Sequence, residues 1–173
     1  MILLTSTEYI KSHSGIHDNT YDKMLVPAIT RAQDIDLCGC LGECLVSSLQ
    51  DKVGTGTIND SGNTLYKVLL DNYVQPFLCY TVLAAVTLEL GQVMGNGGID
   101  TVTDEHRQTL SFDERGQYKD YWLHHADAYR LKMTKFLKNN CSGIPEYTAC
   151  CKDKDESAAC TIWLGGSRGR IRK

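Results

Sequence analysis

From Leu65 to Gly91 the chain reads LYKVLLDNYVQPFLCYTVLAAVTLELG, and this stretch limits what the whole chain can fold into. Apolar or small residues recur at Tyr66, Leu70, Tyr73, Phe77, Tyr80, Ala84, Leu88 and Gly91, a helical period and not a strand period. Lys67, Asp71 and Gln75 make a polar stripe on the opposite face of the first half, and the same stripe continues as Cys79, Val82 and Val86. No residue from Phe77 to Leu88 is charged. A helix that is apolar all round is buried all round, either by the rest of its own chain or by another copy. Pro76, at the junction of the halves, removes a backbone donor and crowds the carbonyl of Asn72, so a kink or a break belongs there.

Two amphipathic stretches are available to cover this core helix. After Asn19 or Thr20 as a cap, an apolar stripe runs Leu25, Ala28, Ala32, Ile35, Cys38, Leu41, Leu45 and Leu49. Pro27 lies more than one turn inside it, so the first turn is expected to be bent or separate. Gly39 and Gly42 each weaken a helix by up to about 1 kcal/mol relative to alanine. Their presence points to close approach of another helix near Gly42, or to a break there. The other stretch begins at the capping box Ser111-Phe112-Asp113-Glu114 and extends to about Asn139. Its stripe is Tyr118, Trp122, His125, Tyr129, Met133, Phe136 and Leu137, against Lys119, Asp120, Asp127, Arg130, Lys135 and Lys138 on the other face.

The connecting segments are short. Thr5-Ser6-Thr7-Glu8 is a further capping-box pattern, with Thr5 as cap of a short helix that ends at Ser14-Gly15. Val53 to Asn63 is turn-rich, and Asn63 or Thr64 caps the core helix. The glycines at 95, 97 and 98 end that helix, and the alternating Ile99–Thr103 suits one strand of a small hairpin. The fold expected is mainly all-α. Three long helices form a bundle with a short leading helix, a small loop or β-hairpin insertion, and an extended tail. Residues 1–147 make the helical domain and 148–173 the cysteine-bearing basic tail.

Composition narrows the function. With 42% hydrophobic and 23% charged residues, the chain is ordinary for a globular protein. MILLTSTEYIK has neither the basic start nor the long apolar core of a signal peptide. The uncharged run 72–88 falls short of the roughly 20 residues of a membrane span. The net charge of −3 is uneven: without Arg168, Arg170, Arg172 and Lys173 there remain 14 basic against 21 acidic residues. An acidic body thus carries a basic tail. Ile162, Trp163 and Leu164 precede those cations and Ile171 interrupts them, a mixture suited to docking in a groove. Such docking on the acidic body of a neighbour closes into a ring when the rotation permits.

No catalytic signature emerges. GNGG lacks the lysine and hydroxyl of a phosphate-binding loop and follows a helix. Eight cysteines without a secretory signal point to a reducing compartment, with thiols acting as small hydrophobes. Cys40 and Cys44, four apart on a helix, together with Cys150, Cys151 or Cys160, give an alternative reading, a small intracellular zinc-stabilised binding module whose basic tail touches nucleic acid. Zinc sites draw their ligands from short loops, however, and no CxxC pair occurs. His124 and His125 are further ligand candidates, but His125 falls on the apolar stripe, where a hydrogen-bonded interface histidine is expected. The preferred reading has no cofactor, no metal and no enzymatic activity. A third reading, a cysteine nucleophile, requires a thiol of depressed pKa.

Taken in order, several patterns resemble a head–tail connector (adaptor or neck ring) family of tailed bacteriophages, of the crAss-like or Bacteroides-phage type. They are Ile29-x-x-Ala32-Gln33, Leu41-Gly42-x-x-Leu45 with Leu49, and Leu69-Leu70-x-x-Tyr73-Val74-x-Pro76-Phe77-Leu78. Asn96-Gly97-Gly98-Ile99, Ser111-x-x-Glu114, Phe136-Leu137-x-x-Asn140 and Ile144-Pro145-x-Tyr147 follow. The resemblance covers about residues 20 to 147, and Cys38–Cys40 and the stretch after Tyr147 depart from it. It implies a structural ring of about a dozen copies at the phage portal, assembled in the host cytoplasm. The partners it implies are the portal protein, the next neck or tail ring and DNA passing through the lumen without sequence-specific binding. Under it, Ile162, Trp163, Leu164, Arg168, Arg170, Ile171, Arg172 and Lys173 dock on a subunit or the portal. Leu41, Gly42, Leu45, Leu70, Tyr73, Pro76, Phe77, Leu78, Tyr118, Trp122, Tyr129 and Phe136 pack the core.

Overall fold

A computed structural model describes residues 2–89, 92–95, 98–101 and 111–147. The protein is mainly helical, with seven α-helices among the described residues: α1 (Thr7–His13), α2 (Asp22–Arg31), α3 (Cys38–Leu41), α4 (Glu43–Gly54), α5 (Thr64–Leu69), α6 (Gln75–Glu89) and α7 (Phe112–Asn139). Two short strands, β1 (Gln92–Gly95) and β2 (Gly98–Thr101), pair antiparallel with Gln92 opposite Thr101 and Gly95 opposite Gly98.

The core helix is α6. Phe77, Leu78, Cys79, Val82, Leu83, Ala84 and Val86 are all buried, on every side of the helix, as a run without charge requires. Burying a side chain such as Phe77 or Leu78 contributes about 1.5–3 kcal/mol. α7 covers one side of α6 and runs antiparallel to it: Tyr73 meets Phe136 at 5.0 Å between ring centroids, while Tyr80 meets Tyr129 at 5.6 Å and Trp122 at 6.0 Å. α2 and the turn after it cover another side. Leu25, Ala28, Ile29, Leu37, Leu41, Leu45 and Leu49 join the same core.

Pro76 does not break the helix. The chain widens ahead of it into a π turn, Leu70–Val74, in which the Gln75 N–H reaches back to the Leu70 carbonyl. The wider turn gives the proline ring room that an α turn denies it. A second π turn, Ala32–Leu37, joins α2 to α3 and carries the correction to the second stripe. The extra residue per turn rotates the helix face, so Gln33 and Leu37 face inward. Ile35 is 64% exposed and Cys38 half-buried, contrary to their expected places in the core. At Gly42 the backbone takes φ 82° and ψ 151°, a conformation open to glycine and costly to any other residue. Gly42 is therefore a break between α3 and α4, and Cys40 and Cys44 sit on different helices.

Cap positions shift by a residue or two. Ser6, not Thr5, caps α1, its Oγ accepting from the Tyr9 N–H at 3.1 Å. Tyr21 precedes α2 in place of Asn19 or Thr20, without a side-chain cap. Asn63 precedes α5, but its amide donates to the Thr57 carbonyl at 2.9 Å instead of capping. The box at Ser111 is complete: the Ser111 Oγ accepts from the Glu114 N–H at 3.3 Å, and the Glu114 carboxylate accepts from the Ser111 N–H at 2.8 Å.

Candidate interaction surface

On α7 the buried side chains are Arg115, Ala126, Met133 and Leu137. At about 100° per residue their common direction lies roughly 50° from the centre of the stripe read from the sequence. The rotation accompanies the packing of α7 against α6. Its consequence is an aromatic flank. Trp122, His125, Tyr129 and Phe136 are half-buried, whereas Tyr118, expected in the core, is 51% exposed beside Tyr121 at 54%. Phe112 and Leu131 on the same helix are also exposed.

The rings of this flank are ordered against one another. Tyr80 stacks on His125 at 5.2 Å, and Tyr121 meets Trp122 and His125 edge-on at 4.8 and 4.6 Å. His125 is thus held by aromatic rings, where a hydrogen-bonded histidine was expected. On the far side of Tyr80, Tyr9 stacks on His13 at 4.0 Å, and a recess of about 100 Å³ lies between Tyr9, His13, Pro76, Cys79, Tyr80 and Tyr129. Burial raises the phenols of Tyr9 and Tyr80, so these rings stay neutral and present electron-rich faces. Such faces attract cations, and Lys132 already lies 4.7 Å from the Tyr129 ring.

Two polar clamps fasten the ends of the described body. At one, the Tyr66 hydroxyl donates to Glu146 at 2.6 Å and the Ser48 hydroxyl donates to the other oxygen at 2.9 Å, with Lys52 over the Tyr66 ring. Burial works to raise the Glu146 carboxyl, but hydrogen bonds from Tyr66, the backbone and Ser48 outweigh it and hold the group below its usual range. Burial, then the bond to Glu146, raise Tyr66. At the other, the fully buried Gln33 amide accepts from the Leu4 N–H at 2.9 Å and donates to the Ile2 carbonyl at 3.0 Å. Glu146 does not stand out in the sequence, and Gln33 enters there only as the end of the pattern Ile29-x-x-Ala32-Gln33. A glutamine at the edge of an apolar stripe and a glutamate after a proline carry no local signal for partners so far away along the chain.

The remaining candidates for chemistry are dispersed. Among the described residues no three His, Cys, Asp or Glu side chains come together. Burial pushes the Cys79 thiol up to about 11, and burial with Asp34 and Glu43 raises Cys38. Asp113 is exposed in the first turn of α7, and Glu114 belongs to the cap. No helix among the described residues is long and apolar enough to cross a membrane. Ile162, Trp163, Leu164, Arg168, Arg170, Ile171, Arg172 and Lys173 lie outside the described residues, as do Cys150, Cys151 and Cys160.

The described residues thus form a mainly helical body organised around α6 and α7, with an ordered aromatic surface. The chain belongs to the family described as "Family of unknown function (DUF6712)", which matches residues 39–157 and so takes in α4 through α7. No curated protein matches the chain, and no solved structure does.

Proposed function

We propose that the chain is a structural, non-catalytic subunit of a ring at the portal and neck of a tailed bacteriophage, joining the DNA-filled head to the tail and lining the DNA channel. The observation that carries this reading is the aromatic flank of α7. Tyr118 and Tyr121 stand exposed at the edge of an ordered ring cluster, on a helix that also exposes Phe112 and Leu131. Exposed aromatics gathered on one element mark an interaction surface. The chain itself carries a matching ligand in sequence: Trp163 among apolar neighbours, then Arg168, Arg170, Arg172 and Lys173. Guanidinium groups stack on tyrosine and tryptophan faces, and the acidic remainder of the body attracts them from a distance.

The ordered patterns in the sequence resemble those of head–tail connectors, a setting that would need such a surface. Ring subunits bind their neighbours, the portal and the next ring, while DNA passes an acidic lumen that repels its phosphates. The raised thiols of Cys38 and Cys79 are the opposite of what a cysteine nucleophile requires, which supports a non-catalytic role. The test is quantitative mass spectrometry of purified virus particles, scaled to the portal protein. One copy per portal subunit is expected, and absence of the chain from the particle overturns the proposal.

A further inference from the structure

The recess beside Tyr80 is walled by groups of one electrostatic kind. Tyr9, His13, Pro76, Cys79, Tyr80 and Tyr129 enclose about 100 Å³. The three tyrosines are half-buried and His13 is exposed, so the recess opens at the surface. Its walls are held in place. His13 stacks on Tyr9 at 4.0 Å and its Nδ1 donates to the Tyr9 carbonyl at 3.0 Å, while the rings of Tyr80 and Tyr129 lie 5.6 Å apart and 25° from parallel. None of the three phenol hydroxyls makes a hydrogen bond to a described residue, which leaves three oxygens able to accept. Burial, then Cys79, Tyr129 and the Asp71 carboxylate, raise the Tyr9 phenol, and burial, then Tyr129 and Cys79, raise that of Tyr80. These groups are therefore within electrostatic reach of one another, with Asp71 near Tyr9. Lys132 lies 4.7 Å from the Tyr129 ring without lining the recess, and shows that this ring accepts a cation.

Aromatic walls, hydroxyl oxygens without partners and a nearby carboxylate suit a planar cation, one that stacks through its face and donates through its edge. A guanidinium does both, whereas an ammonium has no face to stack and an anion meets only acceptors and π clouds. The arginines of the described body are engaged elsewhere: Arg31 pairs with Glu89 at 3.0 Å, Arg130 pairs with Asp127 at 2.9 Å, and Arg115 is buried. Arg107 belongs to a stretch that also carries Asp104 and Glu105 and so has no excess of positive charge. Arg168, Arg170 and Arg172 stand at alternate positions of one segment that has no acid. Residues 148–167 span up to about 70 Å when extended, enough to bring that segment to the recess from any point on the body. The acidic body draws it there.

We propose that the recess is a receptor for a guanidinium group and that one arginine of the segment 168–172 occupies it. The inference rests on the docking role of that segment and gives its cations a defined seat, on the other side of Tyr80 from Trp122 and His125. It does not need the phage setting. Absence of the chain from virus particles would remove the ring and leave the recess as it is, and an empty recess would leave the ring standing.

The test is nuclear magnetic resonance on the full chain at low salt, with isotope-labelled tyrosine rings and arginine side chains. Overhauser contacts from the side chain of Arg168, Arg170 or Arg172 to the rings of Tyr9 and Tyr80 are expected. A variant carrying Arg168→Gln, Arg170→Gln and Arg172→Gln should lose these contacts and shift the ring signals of Tyr9, Tyr80 and Tyr129, with an unchanged melting temperature. Methylguanidinium chloride titrated into this variant should then move the same three signals saturably, and sodium chloride at equal ionic strength should not. Ring signals that are identical in the intact chain and the variant, without arginine contacts, overturn the occupant and with it the proposal. Ring signals that respond alike to methylguanidinium and to sodium overturn the recess as a guanidinium receptor.

Discussion

Glu146 shows how one side chain, silent in the sequence, sets a measurable property. Its carboxylate receives hydroxyls from Tyr66 and Ser48 and is held below the usual 4.5 of a glutamate. A depressed folded-state pKa contributes stability that is complete above the unfolded value and is lost as pH falls through the folded one. The protein should therefore lose stability on acidification below about pH 4.5 in part through this group. Glu146→Gln keeps an acceptor for Tyr66 but removes its charge, which should cost about 1 kcal/mol at neutral pH. Urea melts of both forms from pH 7 to pH 3 check this. The difference between them should shrink toward acid, and a constant difference would sink the assignment. At the alkaline end Tyr66 acts with the opposite sign, since its raised pKa makes its contribution complete below pH 10 and lost above it. The residues legible in advance were those whose role is local or periodic. Leu41, Leu45, Leu70 and Phe77, read from their spacing, are buried in the core. Gln33 is held by Ile2 and Leu4, and Glu146 by Tyr66 and Ser48, partners distant in the chain that no spacing encodes.

At the scale of elements, periodicity located the helices and missed their local departures from 3.6 residues per turn. The two π turns are the reason. Each adds a residue without changing the helical appearance of the sequence, so a stripe followed across Ala32–Leu37 drifts onto Ile35 and Cys38, while the protein buries Gln33 and Leu37. Gly42 was legible as an anomaly but not as to kind, because a glycine needed for close approach and one needed for positive φ look alike in sequence. A substitution separates them by sign. In a continuous helix Gly42→Ala would stabilise by up to about 1 kcal/mol. With φ at 82° and ψ at 151°, alanine instead should destabilise by about 1–3 kcal/mol, read as a lower midpoint in chemical denaturation. Ser111-x-x-Glu114 needed no tertiary information, which is why that helix start was readable to the residue.

At the scale of the molecule, the docking role proposed for the basic segment makes predictions separable from those for folding of the body. The described core runs from Leu4 to Ile144. If residues 161–173 serve docking and not folding, a chain truncated after Cys160 should melt within about 1 °C of the full chain. If the segment docks on the aromatic flank of a neighbour, the same truncation should abolish stable attachment to portal-bearing heads. Tyr118→Ala with Tyr121→Ala should weaken attachment about 10-fold or more, since aromatic anchors at interfaces often contribute over 1 kcal/mol. Because the attraction joins an acidic body to a cationic segment, raising salt from 50 to 500 mM should weaken attachment of the intact chain while leaving its melting temperature nearly constant. Sedimentation of the chain with portal-bearing heads reads all three. Normal attachment of the truncated chain, at unchanged stability, would remove the docking role from Ile162–Lys173 and leave the aromatic flank to some other surface of the ring.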